Sequence, residues 1–134
     1  MSGKIDCSIL TPEKTIYEDQ VDSIVVQAYD GEIGFLHNHA PLISELGVGE
    51  IRLRNGNTTQ YLVVEGGIVE IKNNKLIIIA ENAILKENLD KDSILNKINE
   101  LNAEKSSGSK TPSEKLGITL ESTKLKARLK VALK

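Results

Sequence analysis

The hydrophobic pattern changes period once, just after Ala80, and that change limits the fold more than any other feature of the chain. Before it, apolar residues recur at every second position; after it, they recur at every third or fourth. A period of two belongs to a strand with one buried face, and a period near 3.6 to a helix with one buried stripe. The expected organisation is a β unit over residues 1–84 and a helical unit over residues 85–134.

In the first unit, Ile5, Cys7 and Ile9 alternate with Lys4, Asp6 and Ser8, which reads as a half-buried strand. Thr11-Pro12-Glu13-Lys14 reads as a turn. Residues 21–28 are rich in β-branched side chains. Asp30-Gly31, Asn55-Gly56-Asn57 and Asn73-Asn74 are turn signals, because Gly and Asn tolerate the positive φ of tight turns. Ile51 and Leu53 alternate with Glu50, Arg52 and Arg54. Further runs lie at 61–64, 68–71 and 76–80, with Gly66-Gly67 between the first two as a bulge or a close backbone approach. Short strands at this spacing point to an N-terminal all-β antiparallel sandwich.

In the second unit, Ile94, Ile98 and Leu101, with Leu95 beside them, form one helical stripe. Asp90 can cap its start. A polar stretch around residues 106–111 breaks the pattern. Thr111 can cap a second helix, Pro112 suits its first position, and Glu114 sits three residues after the cap. Ile118, Leu125, Leu129 and Ala132 form the second stripe. The expected result is a C-terminal α-helical hairpin with helices at about 90–105 and 112–133. Such narrow stripes can pair with each other or with something else, but hardly with both.

Charge divides the same way. Residues 1–84 carry 6 basic and 12 acidic side chains, and residues 85–134 carry 11 and 7. Lys115 to Lys134 is net +5, which suits an internal clasp or an acidic partner. Motifs for chemistry are sparse. His37 and His39 form the one His-x-His pair, with no third ligand marked nearby. The single cysteine, Cys7, falls on an apolar strand face and excludes a disulfide framework. Gly47-Val48-Gly49 lacks the third glycine and the helix of a dinucleotide site. With one Phe, three Tyr and no Trp, base stacking on nucleic acid is not expected. No catalytic residue, metal site or cofactor is assigned. No apolar run reaches the roughly 18 residues of a membrane span, and the N-terminus does not read as a secretory signal.

Several ordered blocks carry a resemblance. Gly31-Glu32-Ile33-Gly34-Phe35-Leu36, then Asn38-His39-Ala40-Pro41-Leu42, then Gly49-Glu50-Ile51-Arg52 resemble the signature of the epsilon subunit of F-type ATP synthases. Gly66-Gly67-Ile68-Val69-Glu70 with 76–80, Leu89-Asp90, and Lys126-Ala127-Arg128-Leu129 resemble its later blocks. The resemblance implies a β-sandwich with a helical hairpin and a non-catalytic job. Such a subunit sits in the central stalk beside gamma, on the ring of c subunits, and links proton flow to ATP synthesis. Its hairpin can extend along gamma toward the catalytic head of beta and alpha subunits and restrain ATP hydrolysis. The implied location is peripheral, on the cytoplasmic face of a bacterial plasma membrane or the stromal face of a thylakoid.

Position by position, the resemblance implies c-ring contacts at Glu32, Gly34 and His39, with His37 and Asn38 standing where the family more often has Pro-Gly. It implies beta-subunit contacts from the inhibitory helix at Lys124, Lys126, Arg128 and Lys130, with Arg128 best matched. Leu89 and Asp90 match the opening of an ATP-binding motif found in some members. Ser93 and Ile94 replace that motif's Arg and Ala. Arg offers phosphate a fixed charge that Ser lacks, so no physiological ATP binding is expected. The alternative reading is a stand-alone sandwich module that docks its basic helical tail on an acidic partner.

Overall fold

Eight strands and two helices follow in the order that the periodicity requires, in a computed structural model that describes residues 3–106, 108 and 110–134. The strands are β1 (Ile5–Leu10), β2 (Thr15–Val21), β3 (Ser23–Ala28), β4 (Gly31–Leu36), β5 (Leu42–Asn55), β6 (Thr58–Lys72), β7 (Lys75–Ala80) and β8 (Ala83–Leu85). A 3-10 turn (Lys86–Asn88) leads to α1 (Lys91–Ser106) and α2 (Pro112–Ala132). Strand order is β2-β1-β7-β6-β5-β3-β4, with β8 also on β6. Every pair is antiparallel except β1 with β7.

The long strands β5 and β6 belong to both layers of the sandwich. Residues 42–46 of β5 pair with 67–71 of β6 in one layer, beside β7, β1 and β2. Residues 48–55 pair with 58–65 in the other, beside β3, β4 and β8. The change of layer falls at Gly66 (φ +83°) and Gly67 (φ +137°), a backbone that side chains other than hydrogen rarely allow. A Cβ on Gly67 would collide with the Ile79 carbonyl oxygen and lie 2.8 Å from Ala80 Cα. The glycine pair is thus both a bend and a close backbone approach. Between the layers lie Ile5, Cys7, Ile9, Leu76 and Ile78 from one side and Ile24, Val26, Phe35, Leu53 and Leu62 from the other. Burial pushes the Cys7 thiol up to about 12, which leaves it unreactive at neutral pH.

Three strand features differ from the sequence reading. The runs at 61–64 and 68–71 are parts of one 15-residue strand, because the glycine pair bends β6 without ending it. The run at 21–28 is split: Val21 closes β2, and the Asp22 carboxylate accepts the Gly56 N–H at 2.6 Å. Strand β2 carries no alternation to read, because as an edge strand it is mostly exposed.

The hairpin is capped as its residues suggest. Asp90 Oδ1 accepts the N–H groups of Asp92 (3.1 Å) and Ser93 (3.3 Å), and Thr111 Oγ1 accepts that of Glu114 (3.2 Å). Of the loop expected at 106–111, Ser107 and Ser109 lie outside the described residues. Ile94, Ile98 and Leu125 form a second apolar core, flanked by Leu89, Leu101, Leu129 and Ala132. The stripes therefore pair with each other. However, α2 also packs on β5 and β6 with a second side that the stripe did not include, centred on the fully buried Val131.

Because the sandwich core draws only on strands β1 to β8, a fragment of residues 1–88 should fold alone. Circular dichroism should show a β spectrum and a cooperative melt. A fragment without a melting transition would show that the hairpin completes the core.

Candidate functional site

The joint between sandwich and hairpin is a charged seam with a small apolar centre. Leu62 and Val64 point into the sandwich core, so Tyr61, Val63 and Glu65 point out of it, toward α2. Val63 and Val131 are both fully buried and belong to neither core, so they fill the seam. Val131 follows Arg128 by three residues and so shares its side of the helix. Glu65 is only 4% exposed. Arg128 Nε donates to Glu65 Oε2 at 2.5 Å, Arg128 Nη2 donates to Oε1 at 2.9 Å, and Asn82 Nδ2 donates to Oε1 at 3.1 Å. A two-pronged guanidinium on a carboxylate is among the strongest polar contacts available to side chains. At the far end of α2, Lys134 Nζ lies 3.5 Å from Glu50 Oε1 and 5.8 Å from the centre of the Tyr61 ring. Glu50 is also buried, with Arg52 at 3.8 Å.

Burial pushes the Glu65 carboxyl up. The bonds from Arg128 and Asn82 and the charges of Arg128 and Lys124 outweigh it, and hold Glu65 below the usual carboxylate range. A carboxylate depressed in the docked state contributes stability above its ordinary value, and that contribution is lost as pH falls through the depressed one.

A second surface lies on the opposite layer. The run 76–80 is apolar on both faces: Leu76, Ile78 and Ala80 fill the core, while Ile77 and Ile79 face outward. Ile79 pairs across the strands with Ile68, and Ile43 lies nearby across Glu70. Ile43, Ile68, Ile77 and Ile79 are 67%, 50%, 39% and 57% exposed. Large contiguous apolar patches on a protein surface mark interaction sites, and these four isoleucines stand together on one face. Glu45 and Glu70 stand among these residues, and the groove beside Ile68 and Ile79 is floored by Leu46, Gly67 and Ala80.

Residues 4–86 match the family model of the ATP synthase delta/epsilon chain β-sandwich domain. The ATP synthase epsilon chain of Leptospira interrogans is 39% identical over 92% of this chain and 92% of its own. The chain belongs to the ATP synthase epsilon family. The epsilon chain of Caldicellulosiruptor saccharolyticus is 32% identical over 69% and 68% of the two chains. The fold is shared with a chain in the mitochondrial ATP synthase of Euglena gracilis, solved with OSCP, F1 and c-ring, at TM-score 0.85 and 19% identity over 98% and 82% of the two chains.

The positions matched to the epsilon family do not form one site. Glu32 and Gly34 share the exposed face of β4, and Glu32 is paired with Arg52 at 3.4 Å. His39 lies beyond the far end of β4, with its ring 5.0 Å from that of Phe35 and Nδ1 2.6 Å from the Ala40 carbonyl oxygen. Lys126 and Lys130 are exposed, Lys124 is half-buried, and Arg128 is turned onto Glu65. Leu89 packs on the hairpin core, and Asp90 is the cap of α1. Ser93 is exposed on the first turn of α1. Among the described residues, no group of three or more His, Cys, Asp or Glu could hold a metal ion, and no helix is long and apolar enough to cross a membrane.

Sequence reasoning missed Glu65 and the outer isoleucines. Signals for both were present. Glu65 is a lone carboxylate ending an apolar run before Gly66-Gly67, and an uninterrupted Leu-Ile-Ile-Ile-Ala run is too apolar for a strand wetted on one side.

The seam should be insensitive to pH between 5 and 8 as far as Glu65 is concerned, and should loosen in acid. The groups that face Glu65 are Arg128 and Lys124 of α2, with Glu50 on the neighbouring strand. Methyl NMR shifts of Val63 and Val131 should move together only below about pH 4.5, the ordinary value for a glutamate. Shifts that move instead between pH 6 and 8 would exclude Glu65 as the titrating group.

Proposed function

We propose that this epsilon-family chain is a non-catalytic central-stalk subunit. In this reading it turns with the rotor, couples proton flow through the c ring to ATP synthesis, and restrains ATP hydrolysis through its hairpin. The observation that carries the reading is the separation of the two apolar cores. The sandwich closes around residues of β1 to β8, the hairpin closes around Ile94, Ile98 and Leu125, and the seam between them is small. A part that transmits torque needs a stiff body, and a switch needs an element held weakly enough to leave. The chain supplies one of each.

The partners follow from the surfaces. The outer face of Ile43, Ile68, Ile77 and Ile79 suits lasting burial against the gamma subunit, which would have to pair the carboxylates of Glu45 and Glu70 that stand among them. Glu32 and Gly34, near the two-residue turn at Tyr29 and Asp30, suit the polar loops of the c ring. His39, in the loop before Pro41, is the third residue of this proposed contact, and its Nδ1 contact to the Ala40 carbonyl oxygen helps to shape that loop. Lys124, Lys126, Arg128 and Lys130 suit acidic groups on the beta and alpha subunits. Arg128 is free for that role only when α2 has left Glu65. Attachment to the membrane is peripheral, through the complex; the bacterial relatives favour the cytoplasmic face of a plasma membrane.

Removal of residues 89–134 should raise ATP hydrolysis by the assembled enzyme and leave the subunit bound, because the outer face remains. Replacing Lys124, Lys126, Arg128 and Lys130 together by Ala should also raise hydrolysis at low salt. Exposed ion pairs contribute roughly 0–1 kcal/mol each, so the four act by summing. High salt should mimic part of the effect by screening. Equal hydrolysis by wild-type and truncated enzymes would show that the hairpin does not restrain hydrolysis. Failure of the full chain to co-purify with gamma, beta and c subunits would favour the stand-alone module.

A further inference from the structure

We infer that Glu65 is the latch of the hairpin: its carboxylate holds Arg128 in the docked form and so withholds that guanidinium from an acidic partner. The inference rests on the proposed inhibitory role of the hairpin only for its consequence in the assembled enzyme. The latch itself stands on geometry. Glu65 and Arg128 are 63 residues apart and meet through two hydrogen bonds, 2.5 Å and 2.9 Å long, with Asn82 filling a further acceptor position. The carboxylate is almost wholly buried, with its side chain 3% exposed, and that of Arg128 is 20% exposed. Among the described residues, no other contact in the seam matches this. The Lys134 contact to Glu50 leaves Glu50 Oε1 without a hydrogen bond, and a lysine head holds no fixed orientation.

The position of Glu65 explains why one carboxylate can decide the docking. It precedes the Gly66-Gly67 bend, and its own N–H donates to the Asn82 carbonyl oxygen at 2.9 Å while Asn82 Nδ2 donates to its side chain. Backbone and side chain are both fixed to the turn between β7 and β8, so the carboxylate waits in place before α2 arrives. On α2, Arg128 sits between Lys124, which adds its field to the site, and Val131, which fills the apolar centre. An acidic group on a partner would offer Arg128 the same two oxygens. Docked and extended forms are then alternatives that compete for one guanidinium. Loss of Glu65 should favour the extended form, and loss of Arg128 should weaken both.

The test uses the full chain and the assembled enzyme with Glu65→Gln, which keeps the shape and the bond to Asn82. In the isolated chain, hydrogen–deuterium exchange of α2 amides should rise about tenfold or more, the factor that corresponds to losing a hydrogen bond to a charged group. Exchange in β1, β7 and residues 67–71 of β6, away from the seam, should not change. Arg128→Gln should do the same, and the double variant should add little to either. In the assembled enzyme, Glu65→Gln should lower ATP hydrolysis, whereas a residue needed only for folding would not strengthen inhibition. Unchanged α2 exchange in Glu65→Gln, or additive effects in the double variant, would overturn the latch. Faster α2 exchange with unchanged or raised hydrolysis would uphold the latch and sink the inhibitory reading instead.

Discussion

Gly66 and Gly67 are the pair on which the arrangement depends. Strand β6 must pass from one layer of the sandwich to the other, and it does so where a Cβ would strike the backbone of β7. The bend folds the sheet onto itself and closes the core. It also orients the residues just before it, so that Val63 and Glu65 face outward under α2 while Leu62 and Val64 stay inside. The joint with the hairpin is thus a by-product of the same turn that makes the sandwich possible.

The two outer surfaces of the sandwich differ in chemistry in a way that suits different lifetimes. The layer carrying Ile43, Ile68, Ile77 and Ile79 offers apolar area, which is favourable to bury and has no better alternative in water. The layer under α2 offers carboxylates. Their gain on pairing is partly offset by desolvation, and another charged partner can replace the first. The proposed function asks one face to stay attached and the other to change partners, and this division suits both.

Much of the fold was legible from pattern. Alternation around Ile5, Cys7 and Ile9, the turns at Asn55-Gly56-Asn57 and Asn73-Asn74, and the caps Asp90 and Thr111 are local signals with local causes. The structure places each where it reads. The candidate site was less legible because it depends on pairs distant in sequence. Arg128 reads as one cation among several on a basic helix, and only the fold brings it to Glu65. Strand β2 and the split at Asp22 were hidden for a related reason: an edge strand is stabilised by its neighbour's hydrogen bonds, not by its own apolar pattern. Val131 escaped the helical stripe because α2 buries two sides, and a single period describes only one.

A stiff sandwich that carries a hairpin with its own core, held by a seam weak enough to open, should come apart in two steps. A urea titration of the full chain, followed amide by amide by NMR, separates the two steps. Amides of α1 and α2, and the methyl shifts of Val63 at the seam, should change at lower urea than the amides of β1, β7 and residues 67–71 of β6. A single midpoint shared by every amide would mean that sandwich and hairpin are one cooperative body with no weak seam between them.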